Sequence, residues 1–264
     1  MKQRIALIVS GLASIAALPA LAESVVNAPD LGAVQMTVQI GAESFSSGID
    51  FDLKWSTKVD AAGNTRYVMW GDPVVLKTLN GSTLSIGNDW FDPDPVLSIA
   101  GSATNSGSTP LAFSFTFNAP MSPALTGNIA SSAILNVGLT DVNGDGAVVA
   151  PLAGDTFMLH SSDAFGSGAG SGSISKNVDV GTSLQIAAGA FPVVSQIFSQ
   201  TSSLNCVIAC TVMSARMSFL LSAGDNMSFN GVVTQTQVPL PAGIWLLGSG
   251  ALSLLGLRRR RSNA

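Results

Sequence analysis

The sequence predicts an all-β protein, an antiparallel β-sandwich or jelly-roll-like body flanked by one apolar segment at each end. Three observations predict it. Apolar and polar residues alternate with period two in many short stretches. Clusters of Gly, Asn, Asp, Ser and Pro separate those stretches at short intervals, and none between residues 23 and 237 keeps a firm 3.6-residue period. The composition is rich in Gly, Ser, Thr, Ala and Val, and only 11% of residues are charged. Many short strands joined by turns suit a sandwich or barrel-like architecture.

The chain opens with Met1-Lys2-Gln3-Arg4, an apolar run from Ile5 to Leu18, and Pro19-Ala20-Leu21-Ala22. A basic start, a short apolar stretch and a small-x-small end define a secretory signal peptide over residues 1–22. The implied partners are the Sec translocon and signal peptidase.

The body, residues 23–237, starts with the strand Val34 to Ile40, in which Val34, Met36, Val38 and Ile40 share one face. Glu43 to Gly48 is turn-like. Ile49 to Val59 alternates again, placing Ile49, Phe51, Leu53 and Trp55 together. Asp60 to Asn64 is a turn cluster. Arg66 to Trp70 and Val74 to Leu79 are strands, and Asn80-Gly81 is a hairpin signal with Thr83 to Ile86 as its return.

Asn88 to Pro95 reads as an acidic, Pro-bearing loop. Asp89, Asp92 and Asp94 beside Trp90 form either a cation or glycan contact or a solvated turn with Trp90 in the core. Val96 to Ala103 and Leu111 to Phe117 follow as strands, the second aligning Phe113, Phe115 and Phe117. Pro120 to Pro123 is expected to break the chain. Ser131 to Leu139, Ala147 to Pro151 and Thr156 to His160 continue the strand pattern. Ser161 to Ser173 is low in complexity and reads as a loop. Ser183 to Gln200 has mixed periodicity, and Pro192 argues against one long helix there. Thr211 to Leu221 and Met227 to Thr234 look like a closing hairpin around Ser222 to Asn226.

Two constellations within the body bear on chemistry. Asp141-Val142-Asn143-Gly144-Asp145-Gly146 places oxygen ligands at positions 1, 3 and 5 of a calcium-type loop, with glycine at position 6. Asp141, Asn143 and Asp145 are therefore candidate calcium ligands. Leu152 occupies position 12, where such loops carry a carboxylate, and Asp155 comes three residues late. An Asx-rich hairpin turn explains the same residues without a metal. The second constellation is Cys206 and Cys210. An exported protein meets an oxidising environment, where a disulfide is the default. A straight strand would hold the two Cα atoms roughly 13 Å apart at ~3.3 Å per residue. A bond therefore requires a turn or bend across Val207 to Ala209.

No catalytic arrangement stands out. His160 is the one histidine, no nucleophile elbow or metal-ligand repeat is present, and spacing nominates no carboxylate pair. The expectation is a protein that is not an enzyme.

The last segment, residues 238–264, has three parts. Val238-Pro239-Leu240-Pro241 is extended because each proline fixes its own φ and biases the preceding residue away from helix. Ala242 to Leu257 is uncharged and as a helix would span roughly 24 Å, short of a bilayer core of about 30 Å. Arg258, Arg259, Arg260 and Arg261 follow, a cluster that tends to stay on the cytoplasmic side. This tail resembles the PEP-CTERM sorting signals in their VPLPA-CTERM variant, on Val238, Pro239, Leu240, Pro241, Ala242, the Gly/Leu/Ser-rich span 242–257 and the arginines 258–261. The resemblance implies a single C-terminal transmembrane sorting helix and processing by an exosortase of an exopolysaccharide-producing Gram-negative bacterium. It further implies a transient stay in the inner membrane and release to the cell surface or biofilm matrix. The stretches Asp92 to Pro120 and Phe219 to Val233 look, more loosely, like bodies often joined to such tails.

Removing both end segments changes the charge. The body keeps six basic residues against all 16 acidic ones, a formal charge of −10 rather than the −4 of the whole chain. Such a balance argues against nucleic-acid binding and favours cation binding or solubility in a polyanionic matrix. The expected role is that of a structural or adhesive surface protein. The alternative is a secreted carbohydrate- or calcium-binding module.

Overall fold

The structure, a computed structural model, describes residues 34–59, 65–69, 72–87, 89–93, 95–152, 156–163, 175–190 and 193–238. The signal peptide, the tail from Pro239 onward, the turn at 60–64, Trp70 and all of the low-complexity stretch 161–173 after Asp163 lie outside them. The described residues carry strands and no helix, and so no helix that is long and apolar enough to cross a membrane.

Fifteen strands form a single curled antiparallel sheet, a half-barrel. Two long strands organise it. β9 (Leu111–Thr140) and β14 (Val193–Leu221) pair antiparallel along nearly their whole length, from Leu111 opposite Leu221 to Thr140 opposite Val193. The first half of β9 also pairs with β1 (Gln35–Ile40), which continues to β2 (Glu43–Ser46). The second half pairs with β15 (Asn226–Gln237). Beyond β15 lie β8 (Val96–Thr104), β7 (Trp90–Asp92), β4 (Thr65–Met69) and β3 (Trp55–Val59). The hairpin of β5 (Val74–Lys77) and β6 (Thr83–Ile86) joins through β8. On the other flank of β14 sit β11 (Met158–Asp163) with β12 (Ser175–Val180), and β10 (Ala147–Pro151) with β13 (Leu184–Ile186).

The alternation in the sequence explains which faces turn inward. Met36, Val38 and Ile40 are buried, while Gln35, Thr37 and Gln39 are exposed. Opposite them, Phe113, Phe115 and Phe117 are buried on β9. The curl brings distant strands across the core, where the Phe115 ring stacks on Phe229 of β15 at 5.2 Å between centroids. Phe113 stacks on Phe219, its direct partner on β14, at 5.4 Å. Each buried ring contributes on the order of 1.5–3 kcal/mol of transfer free energy. Glycine permits the close approach: a Cβ on Gly101 would stand 2.6 Å from Phe229 Cζ and 2.5 Å from the Ser85 carbonyl oxygen.

Several expectations about local structure change. Glu43 to Ser46 form β2 rather than a turn, the strand within Ile49 to Val59 begins only at Trp55, and Ser161 to Asp163 belong to β11 rather than to the low-complexity loop. Pro120 to Pro123 does not end the strand, and β9 runs through it. The prolines fall instead at a ladder irregularity, where the pairing jumps from Pro120 opposite Val212 to Leu125 opposite Cys210. A proline lacks the N–H a regular ladder needs, and a bulge does not require it.

Ile49 does not share the inward face of Phe51, Leu53 and Trp55; it is 85% exposed. The carboxylate of Asp50 accepts the Ser46 N–H at 2.7 Å, closing a turn that carries Ile49 at its tip. Residues 90–92 form β7 rather than part of a loop. Finally, β14 and β15 do not pair with each other as a hairpin. Both pair with β9, β14 along both halves and β15 along the second, so residues 222–225 cross from one part of the curled sheet to another. The Ala-Gly-Asp-Asn turn signal is the same in either topology.

The Asn80-Gly81 hairpin matches the sequence: Gly81 has φ 89°, and Lys77 pairs with Thr83. Ser183 to Gln200 resolves into β13, a turn and the start of β14.

Candidate functional site

The crossing at 222–225 meets the turn after β9, and this junction holds the densest group of carboxylates among the described residues. Ligand oxygens of Asp141, Asp145 and Asp225 all lie within 4.8 Å of one another. Asp141 and Asp225 are buried, while Asp145 is exposed. Asp141 organises its own turn: Oδ1 accepts the Gly144 N–H at 2.7 Å and Oδ2 accepts the Gly146 N–H at 2.9 Å. Gly144 and Gly146 have φ of 80° and 97°, which only glycine adopts without strain. Asp225 reaches across, with Oδ1 accepting the Val142 N–H at 3.3 Å and Oδ2 accepting the Ser222 hydroxyl. Ser222 Oγ in turn accepts the Val148 N–H at 2.8 Å.

Of the three residues the sequence nominates as ligands, the structure brings Asp141 and Asp145 together and uses Asn143 differently. The Asn143 amide oxygen accepts the Asp145 N–H at 3.2 Å, and its nitrogen donates to the Ala223 carbonyl at 3.2 Å. Asn143 thus fastens the turn to the crossing. Leu152 does not supply the carboxylate that a contiguous loop would carry at position 12, and Asp155 lies outside the described residues. Asp225, which spacing within the loop could not indicate, stands there instead as a third carboxylate. Three carboxylates this close repel one another. The N–H and O–H donors offset part of that repulsion, and a hard divalent cation would offset more. Each ionised carboxylate has about four lone-pair sites, so the hydrogen bonds present leave room for metal ligation. The chemistry of the donor set fits calcium.

Cys206 and Cys210 are joined by a disulfide with Cα atoms 5.8 Å apart, both buried. The chain bends as the spacing requires. β14 advances four residues between them while β9 advances two, from Gly127 to Leu125, and the extra residues form a bulge.

The Asp89 group is not a solvated loop. Asp89 is fully buried, its Oδ1 accepts the Ala100 N–H at 2.6 Å, and its Oδ2 has no hydrogen-bond partner among the described residues. Burial pushes its pKa up to about 8, against a smaller lowering by the Ala100 hydrogen bond. Asp92 is buried in β7, Phe91 stacks on Tyr67 at 5.0 Å, and Asp94 lies outside the described residues. Burial also raises the pKa of Tyr67. His160 lies in β11, paired with Ala215 and Val178.

Trp55 is half-buried, with its ring edge-on to Phe91 at 5.3 Å. It borders a cleft of about 450 Å³ together with Asp52, Thr37 and Ser46. Of the tail motif, Val238 is described: it is exposed, and its N–H donates to the Asn128 carbonyl at 2.8 Å. Pro239, Leu240, Pro241, Ala242 and Arg258 to Arg261 lie outside the described residues.

No family model matches the chain, and no curated protein matches it. Among solved structures the chain is similar to one titled "Structure of infectious bursal disease virus Gx strain". The identity is 12%, over 79% of this chain, with a TM-score of 0.15, and this chain spans 65% of that chain's length. A likeness at that score carries no argument here.

Proposed function

We propose that this chain is an exported structural or adhesive protein of a Gram-negative cell surface or exopolysaccharide matrix, delivered by its signal peptide and processed by an exosortase at its tail. The single observation that carries this reading is the order of parts in residues 238–264: the Pro-rich motif, the short uncharged span and the four arginines. The body fits it in kind. It is an all-β protein, taken here as sandwich- or jelly-roll-like, with a disulfide suited to an oxidising compartment. Its acidity keeps it soluble among polyanionic glycans. The body acts by binding and not by catalysis.

The test is expression of the full chain in an exosortase-bearing host and in the same host lacking the enzyme. Tail-free protein should reach the medium or surface only in the first. Replacing Pro239 and Pro241 with alanine should retain the protein in the membrane fraction. Equal release from both hosts would sink the proposal.

A second reading is favoured by one observation, the convergence of Asp225 on the Asp141–Asp145 turn. Here the body is a calcium-binding module, with Asp141, Asp145 and Asp225 as carboxylate ligands. Calcium should then raise the melting temperature of the wild-type chain and leave an Asp141→Asn/Asp145→Asn variant unmoved. An identical response of the two proteins would remove this reading.

A further inference from the structure

Over residues 193–206 the ladder partner of β14 is β9 on one side, and no other described strand pairs there; β11 and β10 join β14 only from Val212 onward. This half of β14 is therefore a long edge among the described residues. An edge strand presents unpaired N–H and C=O groups, and proteins normally blunt it with charge, proline, bulges or brevity. Val193–Asn205 reads VVSQIFSQTSSLN, with no Lys, Arg, Asp, Glu, Pro or Gly. Its ladder is regular throughout, and Val193 and Ile197 are 60% and 69% exposed.

The segment is also close to self-complementary about its centre. An antiparallel copy with Ser199 opposite Ser199 would set Val194 against Leu204, Ile197 against Thr201, Ser195 against Ser203 and Gln196 against Ser202, with Phe198 against Gln200 and Val193 against Asn205 as the mixed pairs. Val194 and Leu204 are half-buried and would meet on the core-side face, while Ile197 and Thr201 are exposed and would meet on the outer face. Such apolar, β-branched and hydroxyl pairs are the favourable cross-strand pairs of a sheet. The absence of charge removes the like-charge repulsion that would oppose a copy. We propose that the edge at 193–205 pairs antiparallel with the same edge of a second copy of this chain, across a twofold axis at Ser199. The partner is a second copy because, in the register that uses the whole edge, Val194 meets Leu204, Ser195 meets Ser203 and no charge is buried on either side. This proposal does not depend on the sorting tail or on calcium.

The axis gives the test. Directly opposed residues of an antiparallel pair have Cα atoms about 4.5–5.5 Å apart, within disulfide reach. Ser199→Cys in the full chain should oxidise to a covalent dimer on a non-reducing gel. Ser195→Cys alone should not, but it should cross-link when mixed with Ser203→Cys. In sedimentation the wild-type chain should run as a dimer, and Ile197→Lys should shift it toward monomer with its melting temperature retained. A monomeric wild type, or Ser199→Cys and Ser195→Cys cross-linking equally, would overturn the proposal. Capture of a foreign strand without self-association would overturn it too.

Discussion

Asn105 donates from its side-chain nitrogen to the carbonyl of Leu221 at 3.0 Å, tying the loop after β8 to the last residue of β14. The same nitrogen reaches the Ser222 carbonyl at 3.0 Å and the Thr109 carbonyl at 2.9 Å, and the side-chain oxygen accepts the Gly107 N–H at 2.9 Å. The Asn105 N–H donates to the Asp225 carbonyl at 3.0 Å. One buried residue therefore fastens the loop after β8 to the end of β14 and to the crossing that follows it.

Asn105→Ala should cost about 2–4 kcal/mol, because it leaves several buried backbone groups without partners. Urea unfolding measures this. Asn105→Asp should also destabilise, since a carboxylate cannot donate to Leu221, Ser222 and Thr109. A change within a few tenths of a kcal/mol would contradict the role given to Asn105.

Gly146→Ala should destabilise more than Gly189→Ala. Both glycines have positive φ, which costs a side-chain-bearing residue roughly 1–2 kcal/mol. At Gly146 a Cβ would also stand 2.9 Å from the Ala188 nitrogen and 3.0 Å from the Ile186 oxygen, both backbone atoms that cannot swing away. At Gly189 it would meet open space. Thermal melts of the two variants should rank in that order.

Much of the strand pattern is legible from residue alternation alone. Met36, Val38 and Ile40, or Phe113, Phe115 and Phe117, announce a half-buried strand because side chains alternate faces. Asn80-Gly81 announces its hairpin because glycine accepts positive φ. The continuity of β9 through Pro120 and Pro123 is not legible: a proline reads as a break when the bulge that tolerates it depends on a partner strand. Asp225 was equally hidden as a neighbour of Asp141. Their proximity follows from β14 and β15 both pairing with β9, and residue spacing holds no record of that.

Reducing the Cys206–Cys210 bond, or replacing both residues with alanine, should lower stability by about 2 kcal/mol. A loop this short constrains the unfolded chain only modestly. Denaturation with and without reductant reads the difference. The alanine pair should show no further response to reductant.

Stability should fall as pH rises from mildly acidic to mildly alkaline. Asp89 is the reason: its pKa is raised from 3.8 to about 8 by burial. The folded protein thus holds a proton that the unfolded chain has already released. Stability from this group is fully present below about pH 4 and is lost progressively as pH approaches 8. Asp89→Asn keeps an oxygen to accept the Ala100 N–H and cannot ionise, so its unfolding midpoint should lose this downward slope. Unfolding curves at pH 5, 7 and 9 compare the two. Equal slopes would show that Asp89 is ionised in the folded state.

The position of β15 has a consequence for assembly. It is the last described strand in the chain, yet it is an interior one, paired with β8 on one side and β9 on the other. A chain synthesised amino end first must therefore keep both of those ladders open until residue 237 has been made. Completion of the sheet waits on its last described strand. A body that still lacks β15 is at that moment an unfinished sheet with two waiting edges, exposed to chaperones and proteases alike.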